Sequence, residues 1–260
     1  MQPFEAVDPA LRKLMPRQPR AKLSLGRDRS IQPNNDVRRT VAADLAVRPV
    51  KLPFGQGALK PSVSAKTMHY HYDKHYLGYV AKVNALVAGT EFAAMPLEEM
   101  IRQAAWKRKR ALLTNAAQVW NHAFFWESLN PVRDQGSDLA FPEALAKAFG
   151  SVSKFREKFI EKGMAHVGSG WLWLAWHIER GLILQTTTNS IPIWLASGRI
   201  PLIVCDLWEH AYYLDWKNDR AGWLDAYITR LANWDFASKQ YSAAVNGAER
   251  WQYPSLAIGC

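Results

Sequence analysis

The pattern of apolar and polar positions changes texture about halfway along this chain. The stretch SAKTMHYHYDKHYLGYVAKVNALVAG repeats at helical spacing from Ser64, suited to cap a helix, to Gly89, suited to end one. A second helical pattern, PLEEMIRQAAW, and a third, LLTNAAQVWNHAFFWESL, follow before Pro131 and the polar run RDQGSD mark a boundary. Beyond about residue 140, FPEALAKAFGSVSKFREKFIEKGMAHV is again helical, after which short runs dense in aromatic and β-branched residues begin. GWLWLAWHI, a turn at Glu179 to Gly181, and LILQTTT predict a β-hairpin, and IPLIVCDL predicts a third strand. That strand runs straight into WEHAYYLDWKNDRAGWLDAYITRLANW, which is helical in pattern. The expectation is an α+β chain: an all-α N-terminal half joined to an α/β half with a small antiparallel sheet.

Composition narrows the setting. With 260 residues, 48% of them hydrophobic, the chain can bury a substantial core as one domain or two small ones. The longest apolar region, IPIWLASGRIPLIVCDLW, is interrupted by Arg199, two prolines and Asp206, so no membrane span is expected. Glu5 and Asp8 precede any apolar block, unlike a secretory signal. The two cysteines, Cys205 and Cys260, suit a reducing compartment and offer no disulfide framework. A cytoplasmic location is expected.

Half of the net charge of +10 lies in the first 50 residues, which hold ten Lys or Arg against five Asp or Glu. That leader, with weak periodicity and several prolines, reads as an extended or disordered arm. A mitochondrial transit peptide is the alternative, and the early acids count against it. The KRKR cluster at 107 to 110 reads as a solvated turn between two helices. A nucleic-acid surface is not expected, because no aromatic stacking platform accompanies the charges.

Seven histidines, at 69, 71, 75, 122, 166, 177 and 210, carry the candidate chemistry. On an α-helix His71, His75 and Tyr79 lie at i, i+4 and i+8 on one face, with His69 set aside from it. Gln118 and His122 are one turn apart in an apolar aromatic helix, and His210 follows four residues after Asp206 at a strand end. A carboxylate and a histidine emerging from a buried strand are costly if unpaired, and a bound cation would compensate them. Imidazoles plus one carboxylate suit manganese or non-haem iron better than a structural zinc. Cys205 should point to the opposite face of its strand from Asp206 and is not expected to be a ligand. His166 and His177 have no motif partner.

AAQVWNHAFFW at 116 to 126, GSGWLWL at 168 to 174 and DLWEHAYYLDWKNDR at 206 to 220, together with HYHYDKHYLGY, resemble in order and spacing the signature segments of the iron/manganese superoxide dismutase family. The resemblance covers about residues 50 to 242. It implies an N-terminal helical hairpin domain over 50–133 and a C-terminal α/β domain with a three-stranded antiparallel sheet over 134–243, and leaves the basic leader over 1–49 and a tail over 244–260 unexplained. It further implies that His71, His122, Asp206 and His210 hold the metal and that the activity is disproportionation of superoxide. His75 then leaves the ligand set to stand beside Tyr79 near the substrate channel, reaching the partner subunit's Tyr213 across a homodimer. Glu209 would bridge to the partner subunit's His210.

Gln118 matches the amide that contacts metal-bound solvent in iron-type members, and the segment TTTNSIP around Ser190 contains no glutamine, so iron is favoured over manganese. Trp171 and Trp208 match residues lining the metal pocket, and Trp120 is placed with them in core or pocket wall, as is Trp173. Lys74 and Arg220 are either structural cations or part of a positive field at the channel. Departures from the family pattern are Tyr76, where many iron-type members carry histidine, Asp73 in place of a common glycine, the AAWKRKRALL segment and the basic leader. The alternatives are a dismutase-like structural subunit of a larger assembly, or a dismutase using manganese or either metal.

Overall fold

The structure, a computed structural model, describes residues 46–132 and 140–254. Residues 1–45 of the arm expected over 1–49, the RDQGSD boundary and Cys260 lie outside the described residues.

The first helix begins where the sequence places it. Ser64 caps α1 (Ala65–Met68) by accepting from the Thr67 backbone N–H. Asp215 Oδ2 accepts from both Ser64 N (2.8 Å) and Thr67 Oγ1 (2.7 Å), tying this helix start to the far half of the chain. The helix does not then continue as the single α-helix expected. It widens into a π-helical run (His69–Tyr76) before resuming as α2 (Leu77–Val87). A π turn admits one more residue than an α turn and is concentrated at functional sites. Here it spans the whole histidine-rich segment.

α3 (Leu97–Trp106) and α4 (Arg110–Glu127) complete the helical half, and both α2 and α3 pack on α4. From Ala116 to Trp126 every residue of α4 is buried, as expected of a helix surrounded on all sides. The KRKR segment makes the turn between α3 and α4, with Arg108 in the left-handed region (φ 55°) and Lys107 paired with Glu91.

In the second half, the stretch read as one helix is two. Gly150 (φ 94°) breaks it, and Ser151 caps the new helix by accepting from Lys154 N. The pieces are α5 (Ala140–Phe149) and α6 (Val152–Met164). The sheet matches the sequence pattern: β1 (Gly170–His177), β2 (Gly181–Thr188) and β3 (Arg199–Asp206) are antiparallel in the order β2-β1-β3. Trp171 pairs with Thr187 on one side and with Asp206 on the other. α5 and α6 cover β2, while α4 and α9 (Trp234–Asn246) cover β3. A central strand covered in this way reads as a continuous apolar run, as β1 does.

The final helical pattern is also broken. A 3₁₀ turn (Glu209–Ala211) leads to α7 (Tyr213–Trp216), Lys217 turns the chain at φ 52°, and α8 (Arg220–Ala226) passes through a π run (Tyr227–Leu231) before Asn233 caps α9. The Arg220 guanidinium donates to the carbonyls of His166, Gly168 and Leu207, so its work is structural. Ser128 closes the two halves together: its hydroxyl donates to Phe124 O (2.8 Å) and accepts from Val204 N (3.2 Å), while Tyr227 OH donates to Val204 O (2.7 Å). Among the described residues no helix is long and apolar enough to cross a membrane.

Gly170 starts β1 where no side chain fits. A Cβ there would stand 2.3 Å from the Thr187 carbonyl oxygen and 2.3 Å from His166 Nε2. Gly170→Ala should therefore destabilise the fold by about 1–3 kcal/mol through overpacking. Chemical denaturation measures this, and an unchanged unfolding midpoint would contradict the packing described.

Candidate metal centre

Four elements deliver one ligating atom each to a common point. His71 comes from the π run, His122 from the middle of α4, Asp206 from the last residue of β3 and His210 from the 3₁₀ turn beyond it. The four atoms all lie within 4.8 Å of one another. Asp206 Oδ2 is 3.1 Å from His71 Nε2, 3.4 Å from His210 Nε2 and 3.8 Å from His122 Nε2. His71, His122 and Asp206 are buried, and the His210 side chain is 12% exposed.

Neighbouring groups fix how these side chains point. The Nδ1 of His122 lies 2.7 Å from the main-chain oxygen of Gln118, one turn earlier on α4. A carbonyl can only accept, so Nδ1 carries the proton and Nε2 keeps its lone pair toward the cluster. Asp206 Oδ1 accepts from Trp208 N (2.8 Å), leaving Oδ2 to the three imidazoles, and Trp223 Nε1 holds the main-chain oxygen of Asp206 at 2.9 Å.

Burial lowers the His71 pKa to about 4 against a partial counter-effect from Asp206, and burial likewise holds His122 well below the ordinary histidine range. For Asp206 burial disfavours the charged form, but hydrogen bonds from His210 and His71 outweigh it and keep the carboxyl well below the usual carboxylate range. At neutral pH the centre combines a carboxylate with neutral His71 and His122. A buried carboxylate facing uncharged imidazoles is an arrangement a cation completes. Nitrogen donors with a single carboxylate fit iron or manganese. Cys205 supplies no thiolate: its Sγ approaches the main-chain oxygen of Asp206 at 3.7 Å, and burial pushes its thiol up.

Around the centre stand aromatic rings. Trp171 meets His122 edge-on at 5.0 Å between centroids, Trp126 meets His71 at 4.8 Å and Trp208 stacks on His210 at 5.6 Å. His75, half-buried, stacks on His210 at 4.2 Å, and the Tyr79 ring lies 5.4 Å from His122. Gln118 Nε2 donates to Tyr79 OH at 3.5 Å, and its Oε1 is buried without a partner among the described residues.

Trp120 is not brought to the centre. Two residues before His122, it lies about 200° around the helix, stacked on Phe124 with its Nε1 donating to Glu98. Trp126 takes the place on the wall instead. The sequence carries its signal in spacing, since Gln118, His122 and Trp126 recur at i, i+4 and i+8. The remaining histidines have local roles: His69 pairs with Asp73 (2.8 Å), His166 bonds the main-chain oxygen of Ser169 and His177 accepts from Glu179 N. Lys74 is exposed.

Residues 49–130 match the family pattern described as the alpha-hairpin domain of iron/manganese superoxide dismutases, and residues 137–240 match the C-terminal domain of the same family. Similar proteins include "Superoxide dismutase [Fe]" of Synechococcus elongatus, 38% identical over 195 residues that make up 75% of this chain and 96% of that protein. The protein of the same name from Legionella pneumophila is 42% identical over 189 residues, 72% of this chain and 95% of the relative. That of Photobacterium leiognathi is 41% identical over 192 residues, 74% and 97% of the two chains.

The burial of the histidines makes the metal-free chain acid-sensitive. His71 binds its proton near pH 4 when folded and near 6.5 when unfolded, so the unfolded state takes up more protons throughout that window. Stability of the metal-free protein should fall as pH drops from 6.5 toward 4, by about 3 kcal/mol from His71 alone, with His122 adding to the loss. Urea unfolding across that range measures it; a flat profile would contradict the neutral-imidazole centre.

Proposed function

The chain belongs to the iron/manganese superoxide dismutases, and on that premise we propose that it disproportionates superoxide to dioxygen and hydrogen peroxide at one iron ion held by His71, His122, Asp206 and His210. The observation that carries the reading is the meeting of three imidazole Nε2 atoms and one carboxylate oxygen within 4.8 Å in a buried aromatic pocket. When bound, iron supplies the one-electron chemistry, accepting an electron from one superoxide and returning it to a second.

The chain's own residues do the rest. Asp206 is the single anionic ligand and so sets the charge of the centre. The Trp171, Trp126 and Trp208 rings exclude water and lower the local dielectric, which with hydrogen bonding is how a protein tunes a redox centre. Tyr79 holds a proton beside His122, because burial raises its phenol pKa and Gln118 Nε2 donates to its oxygen, leaving the O–H proton free of that bond. A net charge of +10 favours encounter with an anion.

Iron is favoured over manganese by the position of Gln118 on α4. The sheet's own Gln185 is engaged elsewhere, its Oε1 accepting from Arg199 Nε. The relatives named above, described as iron enzymes, support the same choice.

The proposal includes a homodimer in which His75 bonds the partner subunit's Tyr213 and Glu209 bridges to the partner subunit's His210. It is supported by the exposure of Glu209 and Tyr213 beside a centre whose His210 is stacked on His75. A cytoplasmic location is proposed on the cysteine content and the early acidic residues.

Two measurements test the function. The purified protein should carry iron in preference to manganese and should consume superoxide with that metal; a metal-free, inactive preparation that cannot be reconstituted would contradict it. His122→Ala should abolish metal retention, whereas His75→Ala should keep the metal but weaken the dimer and lower turnover. Equal metal loss in both would show that the ligand helix is misassigned.

A further inference from the structure

Residues 248–254 are packed against the rest of the chain. Gly247 (φ 68°) closes α9, and the residues after it cross to the helical half, where Trp251 packs against Trp120 (5.4 Å) and Phe124 (5.3 Å). Gln240 Oε1 accepts from Trp251 N, and Glu98 Oε1 accepts from Tyr253 N at 2.7 Å. The Tyr253 side chain is buried and reaches Tyr76, one residue past His75 in the π run, with a hydroxyl separation of 3.2 Å.

The hydrogen bonds there have only one consistent direction. Val50 N–H donates to the Tyr76 oxygen (2.8 Å), and Tyr253 OH donates to the Arg48 carbonyl. The proton between the two phenols therefore belongs to Tyr76, giving a chain from Val50 N–H through Tyr76 OH and Tyr253 OH to Arg48 O. Burial holds both phenols in the protonated form, Tyr253 at about 12. Every link is satisfied, and removal of the Tyr253 hydroxyl leaves the buried Tyr76 O–H without its acceptor. The Tyr76 ring in turn lies 6.3 Å from the His122 ring and 6.1 Å from that of Trp126. Arg48 and Tyr253 both fall outside the stretches 49–130 and 137–240 that match the family.

We propose that residues 248–254 form a strap whose Tyr253 acts through Tyr76 as a positioning residue, holding the π run so that His71 meets the other three ligands. Tyr76, one of two departures from the family pattern on the ligand helix, and residues 248–254 are then one device: the phenol gives the strap something to hold. The inference rests on the metal-centre reading above.

The test uses full-length metal-free protein and cobalt(II), whose visible absorption bands report the ligand field directly. Wild-type protein failing to bind cobalt(II) would defeat the metal-centre reading itself. Given binding, Tyr253→Phe should weaken cobalt(II) affinity about tenfold and shift the bands, Tyr76→Phe should do much the same, and the double variant should be no worse than either, as for residues acting through one contact. Both phenylalanine variants keep the ring and its packing. Unchanged affinity and bands in Tyr253→Phe, even with lowered thermal stability, would reduce the strap to a merely structural role and overturn the proposal, as would strictly additive effects of the two substitutions.

Discussion

The buried Asp206 carboxylate is the constraint on which the rest of the molecule depends. Desolvating a charge costs several kcal/mol unless good geometry repays it. Here the carboxylate closes β3, receives Trp208 N on one oxygen and meets three imidazoles on the other. Two of those imidazoles arrive from the N-terminal helices, so neither half can form this centre alone. The fold is consequently tied across its middle: Asp215 holds the start of the ligand helix through Ser64 N and the Thr67 hydroxyl, Ser128 joins α4 to β3, and the strap at 248–254 returns to the same helices.

The same constraint explains the aromatic density. A small centre built on a buried carboxylate needs walls that supply area without competing charge, and tryptophan does this with a single donor. Trp171, Trp126 and Trp208 surround three different ligands. The second aromatic group, Trp120 with Phe124 and Trp251, lies on the other side of α4 and anchors the strap. One helix thus presents its His122 face to the candidate metal pocket and its opposite face to the strap at 248–254.

Much of this was legible in the sequence, for physical reasons. Three strands are visible because β1 and β3 are continuous apolar runs and glycine marks the intervening turn. Asp206 and His210 stand out because polar groups in an apolar stretch demand compensation. Helix breaks were harder to read: Gly150 and Lys217 interrupt patterns whose polarity alone continues through them. The π run was hidden because a change of hydrogen-bond register leaves the composition untouched. Trp120 and Trp126 differ only by which face of α4 they occupy, a distinction that spacing from His122 contains but residue type does not. The strap was illegible, because Tyr253 and Tyr76 are 177 residues apart and nothing local to either announces the other.

The central claim is that these four side chains, and no others, hold the metal. Anomalous diffraction at the iron absorption edge, from crystals of the iron-loaded full-length protein, tests it most directly. The account predicts one iron peak per chain, within bonding distance of His71 Nε2, His122 Nε2, His210 Nε2 and an Asp206 carboxylate oxygen. A peak bonded to His75 in place of His71, or iron located away from Asp206, would contradict it.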